Sequence, residues 1–201
     1  VRSVFGFPAK NASGHNVTRM KRDVLALFGG VPVERNPLPA YQSLGSAERR
    51  AVSRGMQGGA LSGFLGRGGK RFLGGPLIQR LESDFSRYFG VPYAVSFNSA
   101  TTALQAAVAA VGIGPGDEVI TSPFTMPATA TSILLNNALP VFADIDPDTY
   151  CLDPVSIERR ITKRTRAILV VNLFGGAADY GPIMRLARAH HLRVIEDNAQ
   201  S

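Results

Sequence analysis

Two polar stretches of this 201-residue sequence directly follow apolar segments, where a parallel sheet would place reactive side chains. In the first, Asn98-Ser99-Ala100-Thr101-Thr102, small residues open a predicted helix, and the unpaired N–H groups of a helix start favour an anion such as phosphate. The second stretch is Glu196-Asp197, followed by Asn198-Ala199-Gln200-Ser201, and an acid at the end of a buried strand suits a cation. Ordinary capping remains the alternative for both stretches. Together they suit a ligand with a phosphate on one side and a cationic ring on the other.

The elements that would position these stretches alternate along the chain. Short apolar runs predict strands at 93–97, 119–121, 140–143, 166–171 and 192–195. Helical spacing of apolar residues predicts helices at 77–89, 101–111, 125–136, 154–161 and 180–190. This alternation predicts an α/β fold in which helices cover both faces of a mainly parallel sheet.

Charge and composition narrow the function classes. The net charge is +7, but residues 1–87 carry +9 and residues 88–201 carry −2. Because the basic half lacks a Lys/Arg-striped helix and aromatic–basic interleaving, nucleic acid is not an expected partner. The single cysteine cannot form an internal disulfide, and no apolar run is long enough for a membrane span or a secretory signal. We therefore expect a cytoplasmic protein that does not associate with a membrane.

No metal site is expected. Asp144, Asp146 and Asp148 have the opening spacing of a calcium loop, but Thr149 stands where that loop needs glycine. Glu118 and Glu158 are interpreted as surface charges.

Several segments, in order, resemble the N-terminal half of the DegT/DnrJ/EryC1/StrS family of pyridoxal-phosphate-dependent sugar aminotransferases. They are Phe89-Gly90-Val91-Pro92-Tyr93, Asn98-Ser99-Ala100-Thr101, Gly114-Pro115-Gly116-Asp117-Glu118-Val119-Ile120, Pro140-Val141-Phe142-Ala143-Asp144-Ile145-Asp146-Pro147, Arg164-Thr165-Arg166-Ala167-Ile168 and Val194-Ile195-Glu196-Asp197-Asn198-Ala199-Gln200. The resemblance implies an aspartate-aminotransferase-type fold (fold type I), with a large domain and a smaller C-terminal domain that lies beyond this chain.

Three regions are expected on this basis. Residues 1–22 are interpreted as a disordered or artefactual N-terminal extension, because Met20 offers an alternative start. Residues 23–76 form an N-terminal segment with a glycine-rich loop, and residues 77–201 form an incomplete large domain that binds pyridoxal 5'-phosphate (PLP).

The same resemblance assigns cofactor-binding roles. Asp197 matches the aspartate that hydrogen-bonds the pyridine nitrogen, and Gln200 matches the residue near the phenolic oxygen. Ala100, Thr101 and Thr102 match the phosphate cradle. Met126 occupies the position at which many members stack an aromatic ring on the cofactor, and its polarizable sulfur could cover the ring instead.

The lysine that carries the cofactor in this family has no match among Lys10, Lys21, Lys70 and Lys163, and is expected beyond Ser201. The chain alone is therefore expected to be inactive. The intact protein is expected to transfer an amino group from glutamate or glutamine to a keto sugar nucleotide or keto cyclitol, as a homodimer.

Three alternatives remain. Sugar 3-dehydratases of the same family carry histidine in place of that lysine. The chain could instead be a non-catalytic fragment or binding module. A dinucleotide-dependent dehydrogenase is the most distant alternative, because the glycine fingerprint after the first strand is absent.

Overall fold

The computed structural model describes residues 24–32, 36, 41–59, 63–64, 66–69 and 72–201. The chain divides into two units, Val1–Leu61 and Ser62–Ser201. The first contains a short 3-10 turn, Ala26–Phe28, and helix α1, Ser46–Gln57. The extension expected at residues 1–22 lies outside the described residues.

A four-stranded parallel sheet organises the second unit. Its strands are β1 (Glu118–Thr121), β2 (Leu139–Phe142), β3 (Thr165–Val171) and β4 (Arg193–Asp197). Their order in the sheet is β2-β1-β3-β4, and every neighbouring pair is parallel. All four carboxyl ends therefore meet at one edge, which we call the carboxyl edge.

Five helices accompany the sheet. They are α2 (Pro76–Phe89), α3 (Ala100–Ala110), α4 (Pro127–Leu134), α5 (Pro154–Arg160) and α6 (Tyr180–Ala189). Polar caps define several starts: the Asp153 carboxylate accepts the N–H of Val155, and the Asp179 carboxylate accepts the N–H of Gly181. Among the described residues, no helix has both the length and the apolar composition required to cross a bilayer.

The core has two parts, one on each face of the sheet. Side chains alternate along a strand, so Val119 of β1 packs into one part and Ile120 into the other. The first part includes Val108 of α3 and Ile133 of α4, and the second includes helix residues of α5 and α6. Because helices supply residues to the core on both faces, the predicted α/β architecture with a mainly parallel sheet is confirmed.

Four of the five predicted strands are present, and their ends differ from the prediction by at most two residues. The strand predicted at 93–97 is wrong: its backbone forms no ladder with any described strand, and Tyr93 and Val95 are 86% and 69% exposed. Apolar residues alone do not make a strand, because a strand needs a neighbour for its backbone hydrogen bonds.

Two smaller predictions also need correction. The helix predicted at 125–136 begins only at Pro127, since Met126 has an extended backbone (ψ 139°) and serves as its N-cap. Glu158 is exposed as predicted, but Glu118 is only 4% exposed. The Nε of Arg164 donates a 2.8 Å hydrogen bond to Glu118, which explains how a charge is tolerated there.

Candidate active site at the carboxyl edge

Asp197 is the last residue of β4 and lies at the carboxyl edge, where it is 6% exposed. The hydroxyl of Thr129, on α4, donates a hydrogen bond to its Oδ2 at 3.1 Å. The backbone N–H of Ala199 donates to its Oδ1, also at 3.1 Å. Strand pairing with Val171 of β3 fixes the backbone beneath this carboxylate. The carboxylate is therefore held on both oxygens.

A second threonine extends this arrangement. The hydroxyl oxygens of Thr125 and Thr129 are 3.1 Å apart, and the two residues are four positions apart in sequence. An ionised carboxylate only accepts hydrogen bonds, so Thr129 must give its single hydroxyl proton to Asp197. Thr125 must then donate to Thr129. The result is a directed chain of two hydroxyls that ends on Asp197.

The Asp197 carboxylate has acceptor positions that no contact among the described residues uses. Among the residues that the structure describes, the ion pairs involve Asp84, Asp117 and Glu118, and none involves Asp197. An ionised carboxylate offers about four acceptor positions, and the contacts above use two. Buried charges require a partner, so this group suits a cationic N–H donor such as a protonated ring nitrogen.

Asn172 joins the ends of β3 and β4 beside this site. Its side-chain nitrogen donates to Glu196 Oε1 at 2.7 Å and to Asn198 Oδ1 at 2.6 Å. Its side-chain oxygen accepts the N–H of Ala178 at 2.9 Å and the hydroxyl of Tyr180 at 3.3 Å. Burial, and after it the neighbouring Glu196, raise the pKa of Tyr180, so its hydroxyl remains a neutral donor. This network fixes both residues that flank Asp197 in sequence.

The start of α3 is built as a capped helix end. The Oγ of Ser99 accepts the N–H of Thr102 at 3.3 Å, and the Thr102 hydroxyl donates to Asn98 Oδ1 at 2.7 Å. In the described part of the chain, the N–H groups of Ala100 and Thr101 have no acceptor. The helix cap thus uses the N–H of Thr102. The N–H groups of Ala100 and Thr101 remain without a partner among the described residues at the helix start, where an anion is favoured. The capping and phosphate interpretations are therefore compatible.

Gln200 and Met126 lie in segments that hydrogen bonds link to the ends of β3 and β4. The Oε1 of Gln200 accepts the backbone N–H of Phe174, just beyond β3, at 3.0 Å. Met126 caps α4 with its side chain 62% exposed, one residue after Thr125.

The structure therefore groups Asp197, Gln200 and the segment that carries Met126 at the carboxyl edge. Within the described residues, no hydrogen bond joins the start of α3 to this group, although α3 packs against α4 and β4. Sequence reasoning missed Thr125, Thr129 and Asn172. The four-residue spacing of the two threonines after a strand was the available signal for the first two; nothing in the sequence pairs either with Asp197.

The sequence around these residues matches a known protein family. The profile of the DegT/DnrJ/EryC1/StrS aminotransferase family matches residues 66–201, more than half of the chain. This chain belongs to that family. The resemblance noted in the sequence motifs is therefore confirmed.

Curated members of the family share substantial identity with this chain. It is 46% identical over 131 residues to UDP-2-acetamido-2-deoxy-3-oxo-D-glucuronate aminotransferase of Pseudomonas aeruginosa, covering 65% of this chain and 36% of the relative. It is 37% identical over 183 residues to L-glutamine:2-deoxy-scyllo-inosose aminotransferase of Streptomyces fradiae, covering 88% and 41%. The chain thus spans roughly two-fifths of the length of these relatives.

Solved structures of family members share the fold. DesV of S. venezuelae superposes with a TM-score of 0.69 at 36% identity, covering 76% of this chain and 38% of that one. NtdA of Bacillus subtilis, solved with its bound cofactor PMP, gives 0.69 at 31% identity, covering 76% and 33%. The predicted aminotransferase-type large-domain fold is thereby confirmed.

Proposed function

We propose that the whole protein is a PLP-dependent aminotransferase that acts on a keto sugar nucleotide or a keto cyclitol. The observation that carries the proposal is the buried Asp197 carboxylate, which Thr129 and Ala199 hydrogen-bond and which has acceptor positions left for a cationic donor. Relatives that match this chain are named for amino transfer to UDP-linked keto glucuronate and to deoxy inosose, which supports both substrate classes.

Asp197 is assigned to the protonated pyridine nitrogen of the cofactor. PLP, when bound, supplies the electron sink for cleavage of a bond to the substrate carbon. A fixed negative charge at the ring nitrogen keeps that nitrogen protonated, because an anion beside a base favours its charged form. The Thr125–Thr129 chain holds the carboxylate in its acceptor orientation.

The remaining predicted residues are assigned to other parts of the cofactor. The N–H groups of Ala100 and Thr101, with the Thr101 hydroxyl, would bind the phosphate, and Thr102 would hold the helix cap in shape. Gln200 would lie near the phenolic oxygen, and Met126 would cover one face of the ring through its sulfur.

The rest of the whole protein completes the proposal. A lysine that follows the matched segment would carry the cofactor and move the proton. Assembly as a homodimer and a cytoplasmic location remain predictions, and the +9 charge of residues 1–87 would attract an anionic sugar nucleotide.

The test uses the intact gene product loaded with PLP. Glutamate and glutamine are each supplied without a keto substrate, and the released 2-oxo acid is quantified. We expect about one equivalent per active site with at least one donor, and multiple turnovers once 2-deoxy-scyllo-inosose or a UDP-linked 3-keto sugar is added. Borohydride reduction followed by peptide mass spectrometry should place the cofactor on a lysine. Histidine at the matching position, with no release of 2-oxo acid, would contradict the proposal and favour the dehydratase.

A further inference from the structure

Three exposed aromatic rings form a closed cluster at the carboxyl edge. We call Phe124, Tyr150 and Phe174 the aromatic triad. The centroid of Phe124 is 6.1 Å from that of Tyr150 and 6.2 Å from that of Phe174, and the last two are 6.4 Å apart. Their exposed fractions are 46%, 47% and 70%. Rings in such contact normally serve to fill a core, whereas these remain open to solvent.

The triad is assembled from three adjacent strands. Phe124 follows β1, Tyr150 lies in the segment after β2, and Phe174 follows β3. Since these strands are neighbours in the order β2-β1-β3, their rings converge over the edge at which ligands of parallel sheets bind.

Two of the three aromatic residues have an unusual backbone conformation. Tyr150 has φ 60° and Phe174 has φ 55°, the left-handed region that bulky residues rarely adopt. Hydrogen bonds hold both: the N–H of Tyr150 donates to the carbonyl of Asp146 at 2.8 Å, and the N–H of Phe174 donates to Gln200. Left-handed positions occupied by bulky residues concentrate at ligand sites.

The triad is continuous with the Asp197 site. Phe124 is bonded in sequence to Thr125, which starts the hydroxyl chain to Asp197. Phe174 is held by Gln200, three residues after Asp197. Both sides of the triad are thus fixed by residues already assigned to the site.

From this placement we infer that the aromatic triad binds the ring of the keto substrate through its apolar C–H face. This inference rests on the proposed function. It makes the aromatic triad the surface by which the enzyme selects its keto substrate. A pyranose or cyclitol ring presents C–H groups that can lie against aromatic faces, while its hydroxyls keep polar partners at the rim. The triad carries no charge, so it would hold the uncharged ring, with a nucleotide diphosphate lying elsewhere.

The test uses the intact, PLP-loaded gene product and two variants that remove a ring. Phe124→Leu keeps an apolar side chain on ordinary backbone. Phe174→Gly removes the second ring at a left-handed position that glycine adopts without strain. The matched control is Tyr88→Leu, which removes an 84% exposed ring from α2. KM and kcat are measured with 2-deoxy-scyllo-inosose and with a UDP-linked 3-keto sugar, and 2-oxo acid release from the amino donor is measured separately.

We expect both ring-removing variants to raise KM for the preferred keto substrate about five- to tenfold, and Tyr88→Leu to keep the wild-type KM. Phe174→Gly should raise KM without lowering the melting temperature. A purely structural role of Phe174 would instead lower the melting temperature. An unchanged KM in both variants overturns the assignment, as does a wild-type enzyme that releases 2-oxo acid but turns over neither keto probe. Absence of 2-oxo acid release from the wild type contradicts the proposed function itself, a separate result.

Discussion

The hydroxyl of Thr129 donates a hydrogen bond to Oδ2 of Asp197 at 3.1 Å, and so connects α4 to the end of β4. Both side chains are buried, with Thr129 fully inaccessible. A hydrogen bond between buried groups fixes an orientation as well as contributing stability. The orientation of the Asp197 carboxylate therefore depends on a residue 68 positions away in sequence.

Replacing Thr129 by valine tests this dependence. Thr129→Val keeps the shape but leaves Asp197 one donor short and the Thr125 hydroxyl without its acceptor. We expect the free energy of unfolding to fall by about 1 to 3 kcal/mol and PLP to bind several-fold more weakly. Thr129→Ser, which retains the hydroxyl, should lie close to wild type in a PLP titration followed by absorbance. Equal affinities for the valine and serine variants would contradict the role of the hydroxyl.

Phosphate binding at the start of α3 can be tested by comparing a ligand that carries the phosphate with one that lacks it. Thr101→Val removes the hydroxyl that has no role in the helix cap. We expect roughly tenfold weaker binding of PLP, since hydrogen bonds to charged groups contribute about 1.5 to 3 kcal/mol. Binding of pyridoxal, which lacks the phosphate, should stay as in wild type. Thr131→Val, at an exposed position of α4, is the control. A parallel loss for both ligands would show that Thr101 does not contact phosphate.

Asn172→Asp tests the link between β3 and β4 with almost no change in shape. The new carboxylate oxygen would face Glu196 and Asn198, which are now acceptors at 2.7 and 2.6 Å. We expect a loss of about 2 to 3 kcal/mol at neutral pH, measured by urea unfolding. Because protonation removes the repulsion, part of this loss should be recovered on acidification. Asn137→Asp, at an exposed residue, is the matched control; an equally small effect of both variants would refute the link.

Glu118 gives a prediction for acid stability. The hydroxyl of Thr162, and after it Arg164, lower the pKa of Glu118. A lowered folded pKa stabilises the protein above the unfolded pKa of about 4.3, and this contribution is lost as pH falls through the folded value. Glu118→Gln should thus be less stable than wild type at pH 7, by about 1 to 2 kcal/mol given the exposed Arg164.

The measurement for Glu118 is the melting temperature as a function of pH. The difference between wild type and Glu118→Gln should shrink below about pH 4. Glu158→Gln, at an exposed helix position, should show no such pH-dependent difference. A difference that grows on acidification would have the wrong sign and contradict the pKa argument.

Local sequence patterns predicted a strand correctly where neighbouring strands are present to accept its backbone hydrogen bonds. Strand β3 has an apolar run typical of a central parallel strand, and both of its neighbours are present. The run at 93–97 has a comparable pattern but no partner among the described strands, so pattern alone overstated it. Pairing depends on residues distant in sequence, which periodicity does not report.

The site was predicted only in part for the same reason. Motif resemblance assigned cofactor roles to Asp197 and Gln200, which stay predictions. Nothing in the sequence indicated that Thr129 of α4 contacts Asp197, or that Ala178 and Tyr180 contact Asn172. The prediction for Glu118 was wrong for a similar reason. Its acidic side chain suggested an exposed position, whereas it is buried and hydrogen-bonded by Arg164 and Thr162. Which polar residues are buried depends on the partners that the fold supplies.

The central claim, that the Asp197 carboxylate acts on the cofactor ring, is tested most directly by Asp197→Asn in the intact, PLP-loaded gene product. Asparagine keeps the size and one acceptor oxygen, but it replaces the other oxygen by an NH2 donor and removes the negative charge. We predict that 2-oxo acid release from the amino donor slows on the order of 10²- to 10³-fold, while the variant still folds and still binds PLP. A release rate equal to that of wild type, with PLP bound, would contradict the account.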